Sequence, residues 1–206
     1  LSIDNLYLVA SKNSAGKKLE FKGKKYTIEN LDTYDFSKAK ITFFAAGGKI
    51  SEQYAEKAAK HTIVIDNSSY FRMDPEVPLI VPQVNSKELD NMKKNIIANP
   101  NCSTAQLVIA LKPLHDIYKI KRIIVSTYQS VSGGGKAPMD ELIEQTKLYL
   151  ENKKIKSKNF TKQIAFNVIP HIDVFSDDGY TKEELKMTNE TKKILDQNIE
   201  LSATCV

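Results

Sequence analysis

Apolar positions along the chain fall in short runs separated by polar loops, and the first run, Leu6-Tyr7-Leu8-Val9-Ala10, has the length of a strand. A polar loop over residues 11–18 leads into a hairpin arm through Phe21 and Tyr26 to Ile28. Ile41-Thr42-Phe43-Phe44-Ala45-Ala46 predicts a buried strand ending in Gly47-Gly48, and residues 51–60 predict a helix with Tyr54, Ala55, Ala58 and Ala59 on its inner face. A second strand follows over residues 62–66. Strand, glycine turn, helix and strand make a βαβ unit, which crosses over right-handedly in a parallel sheet and receives ligands at the carboxyl ends of its strands. Those ends carry Gly47-Gly48 and Asp66-Asn67-Ser68-Ser69.

After Pro75, Pro78 and Pro82 comes a short strand, Ile96-Ile97-Ala98, and then Asn99-Pro100-Asn101-Cys102-Ser103-Thr104. Leu107, Val108, Leu111 and Leu114 keep helical spacing over residues 105–116, so Cys102 falls at a helix start. Residues 121–128 predict a β-branched strand running into Gln129-Ser130-Val131-Ser132-Gly133-Gly134-Gly135-Lys136, and residues 139–151 an amphipathic helix. Residues 152–162 read as a lysine-rich loop and 164–169 as another strand. A helix over residues 181–195 has Thr181 as N-cap and Glu184 at the capping-box position, and 199–206 form a final strand. The class is α/β, with no internal repeat.

Composition narrows the partners. With 41% hydrophobic and 27% charged residues in 206, the chain has the makings of a globular core and excludes disorder and low complexity. The net charge of +5 comes from dispersed lysines such as Lys17-Lys18, Lys24-Lys25 and Lys153-Lys154, without aromatic interleaving, so no nucleic-acid partner is expected. The 2 cysteines, Cys102 and Cys205, fit no metal or disulfide framework, which points to a reducing cytoplasm and no metal. No apolar run approaches the roughly 18 residues of a membrane span. The chain opens on Leu1 rather than Met and ends inside a strand, so both ends read as cut.

Cys102 is the sharpest chemical feature. A free thiol of pKa near 8.5 is only about 3% thiolate at pH 7, and the orphan N–H groups of a helix start raise that fraction; the bland alternative is a small buried hydrophobe. Cys205, inside an apolar strand, reads as packing. Gln129 stands at a strand end before a glycine-rich loop, where its amide can both donate and accept. Arg72, one of two arginines, follows a strand end and has the planar donors that suit phosphate or carboxylate, although a surface ion pair is the competing reading. Glu183 and Lys186 share a helix face at i, i+3, as surface pairs commonly do. Ser11-Lys12-Asn13-Ser14 offers hydroxyl, amide and ammonium groups suited to a ribose 2′-phosphate, and equally resembles an ordinary loop. Of His61, His115 and His171, only His171 merits a test as a base.

Six segments carry a resemblance: Ser11-Lys12-Asn13-Ser14-Ala15-Gly16-Lys17, Asp66-Asn67-Ser68-Ser69-Tyr70-Phe71-Arg72-Met73, Asn99-Pro100-Asn101-Cys102-Ser103-Thr104, Ser126-Thr127-Tyr128-Gln129-Ser130-Val131-Ser132-Gly133, Ala165-Phe166-Asn167-Val168-Ile169-Pro170 and Ala203-Thr204-Cys205-Val206. Collinear over essentially the whole chain, they resemble the bacterial aspartate-β-semialdehyde dehydrogenase family. The resemblance implies a doubly wound, Rossmann-like NADP-binding domain over residues 1–98 and an α+β catalytic and dimerisation domain over residues 99–206, both incomplete. It implies reduction of L-aspartyl-4-phosphate with NADPH to aspartate semialdehyde and phosphate, on the way to lysine, threonine and methionine, by a cytoplasmic homodimer or homotetramer.

On the same basis Cys102 attacks the acyl phosphate to give a thioester and Gln129 orients the acyl-enzyme. Arg72 and Lys186 hold the phosphate, Asn101 lines that pocket and Glu183 takes the substrate ammonium. Ser11, Lys12, Ser14, Gly47, Ser132 and Gly133 line the cofactor site, with Lys12 and Ser14 near the 2′-phosphate. The family's Gly-x-x-Gly-x-x-Gly loop is expected before Leu1, and its substrate-carboxylate arginine and acid/base histidine beyond Val206. Two other readings stay open: a related reductase acting on N-acetyl-glutamyl phosphate or glyceraldehyde-3-phosphate, disfavoured by the Asn-Cys-Ser-Thr setting, and a non-catalytic paralogue.

Overall fold

The computed structural model describes residues 3–206, which form two compact units: residues 3–78 with Glu88–Asn99, and Leu79–Lys87 with Pro100–Val206.

In the first unit β1 (Leu8–Ala10) pairs in parallel with β3 (Lys24–Asn30), which is joined to β2 (Lys18–Phe21) by a tight hairpin closing at Phe21↔Lys24. Its two loop residues, Lys22 and Gly23, both have positive φ, 51° and 75°, the backbone that matches the twist of antiparallel strands. A second sheet runs β4 (Ile41–Phe44), β5 (Ile63–Asp66), β6 (Ile96–Ala98), all parallel, with α1 (Gly48–Ala58) as the crossover between its first two strands. This is the βαβ unit read from the chain. Ala55 and Ala58 on α1 are fully buried, as are Val64, Ile96 and Ala98 in the sheet, and the small helix side chains let the backbone approach the strands. At the end of β5 the buried Asp66 accepts from Ser51 Oγ of α1 (2.8 Å) and from Ser68 N–H and Oγ (2.9 and 2.8 Å), fixing the turn there.

The second unit contains α2 (Pro82–Asn85), α3 (Cys102–Tyr118), β7 (Arg122–Thr127), α4 (Lys136–Leu150), α5 (Lys182–Ile194) and β8 (Glu200–Cys205). β7 and β8 pair in parallel from Arg122↔Glu200 to Thr127↔Cys205, a pairing that requires the long connection between them. Gln129 N–H continues the ladder onto Val206 O at 2.7 Å. Met187, Ala203 and Cys205 form a core cluster against Leu107, Val125, Ile172 and Leu201. α5 starts with the full capping box, Thr181 Oγ1 accepting from Glu184 N–H and Glu184 Oε2 from Thr181 N–H.

One predicted element is absent. Residues 164–169 are not a strand: Phe166 has φ +58°, Asn167 N–H turns back onto Ile164 O, and Gln145 Oε1 takes the N–H groups of Ile164 and Ala165. A helix side chain has replaced the strand partner that those donors would need.

Candidate active site

Cys102 is the first residue of α3 and is exposed. Asn101 ahead of it is buried and is the N-cap: its Oδ1 accepts from the N–H groups of Ser103 (2.9 Å) and Thr104 (3.3 Å), and its carbonyl takes Ala105 N–H. Among the described residues this leaves the Cys102 N–H as the open donor of the first turn, beside the thiol. The amide of Asn101 extends outward as well, its Nδ2 donating to Glu183 Oε1 at 2.7 Å. Glu183 in turn lies 3.3 Å from Lys186 Nζ, which is 2.9 Å from Asp173 Oδ2. Glu183 and Lys186, a pair by their i, i+3 spacing, and Asn101, expected from the resemblance, are thus members of one hydrogen-bonded chain.

Charges along it reinforce each other. Burial works to lower the Lys186 pKa, but the Asp173 hydrogen bond and the charges of Glu183 and Asp173 outweigh it, holding the ammonium above its ordinary value. Burial likewise works to raise Asp173, and the Lys186 hydrogen bond and Val174 N–H bring it below the usual carboxylate range. Asp173 holds this position in the left-handed region, φ +69°, a cost that the ion pair offsets. Cys205, unlike the exposed Cys102, is 1% exposed, with its sulfur 3.7 Å from Met187 Sδ. Burial pushes the Cys205 thiol up.

Gln129 is half-buried, and its side chain lies so close against Gly133 that a Cβ there would collide with Gln129 Nε2. Its Oε1 is buried without a hydrogen-bond partner, an acceptor left open for a donor. Ser132 is in the same short 3-10 turn, Val131–Gly134, with its Oγ 3.0 Å from Ser130 Oγ. A cleft of about 1000 Å³ in this unit is lined by Gln129, Val131, Phe166, His171, Ile172 and Val206 among others. His171 packs tilted against Phe175 with ring centroids 4.5 Å apart, and His115 is buried with Nε2 3.5 Å from Asp196 Oδ2.

In the first unit, Ser11, Lys12 and Ser14 form a turn after β1, closed by Ser14 N–H on Ser11 O at 2.9 Å; Ser11 and Lys12 are exposed. Gly47 precedes α1 at φ +91°, and no side chain caps that helix. The open N-terminal amides there, and the exposed hydroxyl and ammonium of the β1 turn, are donors of the type a dinucleotide phosphate requires, so these residues fit such a group. Arg72 is buried, with Nε on Asn99 O (2.9 Å) and a terminal nitrogen on Asn67 O (3.2 Å), so its guanidinium ties together the loops that follow β5 and β6.

Three buried polar side chains escape sequence reasoning. Glu190 accepts Asn101 N–H at 2.6 Å. Glu141 accepts from Lys158 N–H, Asn159 N–H, Asn159 Nδ2 and Gln145 Nε2, and Gln145 holds residues 164 and 165. Burial works to raise the Glu141 pKa, yet those donors bring it below its ordinary value. The signal was faint, since polar residues at i, i+4 usually mark a solvated face.

A family model described as semialdehyde dehydrogenase, NAD binding domain, matches residues 1–92, and one described as semialdehyde dehydrogenase, dimerisation domain, matches residues 111–206. Aspartate-semialdehyde dehydrogenase of Aquifex aeolicus is 55% identical over 99% of this chain and 62% of its own length. The crystal structure of aspartate semialdehyde dehydrogenase II from Vibrio cholerae superposes with a TM-score of 0.93 at 50% identity, over 98% of this chain and 62% of that one. A structure of aspartate semialdehyde dehydrogenase II from Vibrio cholerae complexed with ASA gives 0.92 at 49%, over 98% of this chain and 61% of that one. The chain therefore spans a little over three-fifths of these relatives, with a nucleotide-binding α/β part followed by a dimerisation part, and it belongs to the semialdehyde dehydrogenase family.

Proposed function

We propose that this protein interconverts L-aspartyl-4-phosphate and L-aspartate-4-semialdehyde plus phosphate with NADPH as reductant, in the biosynthesis of lysine, threonine and methionine, as a cytoplasmic homodimer or homotetramer. The observation that carries the reading is the exposed Cys102 thiol at the first position of α3, beside an open backbone N–H and behind an N-cap held by Glu183.

The Cys102 thiolate would attack the acyl carbon of the mixed anhydride, the carbon–oxygen bond to phosphate would break, and phosphate would leave with its negative charge met by Lys186 and Arg72. The developing oxyanion would find the Cys102 N–H, a donor already in place and spent on no other group. Gln129 would hold the resulting thioester, and its open Oε1 suits a substrate N–H. Glu183, carrying a carboxylate at the Asn101 amide, would take the substrate ammonium. Ser11, Lys12, Ser14, Gly47, Ser132 and Gly133 would hold the dinucleotide, with Lys12 and Ser14 at the 2′-phosphate that distinguishes NADP from NAD. When bound, that cofactor would supply a hydride to the thioester carbonyl, and breaking of the carbon–sulfur bond would return the Cys102 thiolate and release the aldehyde.

The test is an assay of the full-length protein following NADP+ reduction with aspartate semialdehyde and phosphate. Cys102→Ala is expected to lose at least about a thousandfold. Activity on glyceraldehyde-3-phosphate in place of aspartate semialdehyde, or a Cys102→Ala variant that retains turnover, would overturn the assignment.

A further inference from the structure

The buried carboxylate of Glu190 takes part in none of these steps. It is 2% exposed and sits two helical turns after Glu183, on the same face of α5. Its Oε2 accepts the backbone N–H of Asn101 at 2.6 Å. That N–H lies just before the helix, where no carbonyl of α3 can reach it. Asn101 meanwhile donates Nδ2 to Glu183, accepts Ser103 and Thr104 N–H at Oδ1, and accepts Ala105 N–H at its carbonyl. All four of its polar groups are engaged: two bind the first turn of α3, and two bind α5.

We propose that Glu190 is a positioning residue for Cys102, a latch that fixes the backbone of the preceding residue so that the first turn of α3 presents its sulfur and its free N–H in one constant orientation. Glu183 alone would leave Asn101 able to pivot about its side chain. With the backbone held as well, rotation at Asn101 is blocked, and Cys102 inherits that rigidity through a single peptide bond. A carboxylate serves better than a neutral acceptor because its hydrogen bonds are shorter and stronger, in keeping with the 2.6 Å separation. Only the kinetic arm of the test rests on the reading of Cys102 as the reacting thiol.

In the full-length wild-type protein the Asn101 amide should exchange with deuterium as slowly as amides inside α3, and exchange at the speed of an open loop overturns the proposal without any variant. Glu190→Gln keeps an acceptor at the same reach and should retain kcat within about threefold, whereas Glu190→Ala should lower kcat at least about tenfold while KM for aspartate semialdehyde and phosphate stays within about twofold. Equal losses in the two variants, or none in Glu190→Ala, overturn it. Independently of turnover, Glu190→Ala should slow alkylation of Cys102 by iodoacetamide, followed on the peptide containing it, by at least about threefold as the first turn frays and its amides favour the thiolate less; an unchanged rate counts against the latch. Should Cys102→Ala retain turnover, the function proposed above fails while amide exchange and alkylation still decide the role of Glu190.

Discussion

The helix that opens after β4 and the helix that opens at Cys102 begin in opposite ways. α1 follows Gly47, at φ +91°, with no side chain on its first amides, whereas α3 follows Asn101, whose side chain consumes two first-turn N–H groups and whose own donors are gripped by Glu183 and Glu190. An uncapped start is a receptacle: its donors stay available for an arriving phosphate. The capped start keeps one donor open and immobilises it beside a thiol. On the proposed function the difference would separate binding from chemistry, because a ligand site gains from unused donors while a nucleophile gains from fixed geometry.

Substitutions can break that contrast. The largest effect is expected from Asn101→Ala, which removes the cap and the donor to Glu183 Oε1, leaving that carboxylate only Lys186: kcat should fall about a hundredfold and Tm by about 4 °C, read by steady-state kinetics and calorimetry. Gly133→Ala should cost about tenfold in kcat with Tm nearly unchanged, since the added methyl meets the Gln129 side chain first and pushes that amide away. Gly47→Ala has room for its methyl, with no atom within 4 Å, so only the backbone objects. It should raise KM for the proposed NADP a few-fold and leave kcat within about twofold. The smallest effect belongs to Asp173→Asn. Asp173 titrates below its ordinary value, so its stabilising contribution is present above that value and lost as pH falls through the depressed one; Lys186 titrates above its ordinary value, so its contribution is present below that and lost as pH rises through the raised one. The gap in Tm between wild type and Asp173→Asn should therefore be flat from about pH 5 to about pH 9 and close below about pH 4.

Much of this was legible from residue order alone. The βαβ unit announced itself because Ile41 to Phe44 and Ile63 to Asp66 are strand-length apolar runs flanking alanines at helical spacing. The capping box at Thr181 and Glu184 was visible because it is a local device, complete within four residues. Residues 164–169 misled because their apolar content mimics a strand, while the decisive donor–acceptor match is to Gln145, about five helical turns of sequence upstream. Local pattern carries no trace of such a partner. Glu190 and Glu141 were hidden for the same reason, since a glutamate on a helix reads as solvated until the loop or helix start that it holds is known.

The seven-residue interval on α5 between Glu183 and Glu190 has a consequence for how this chain can vary over time. Both side chains must reach the same asparagine, so inserting or deleting one residue between them would rotate one carboxylate by about 100° away from it. Residues 152–157, a loop before the Glu141 anchor points, face no such constraint. Related chains should thus differ in length there and hold a constant count across the middle of α5.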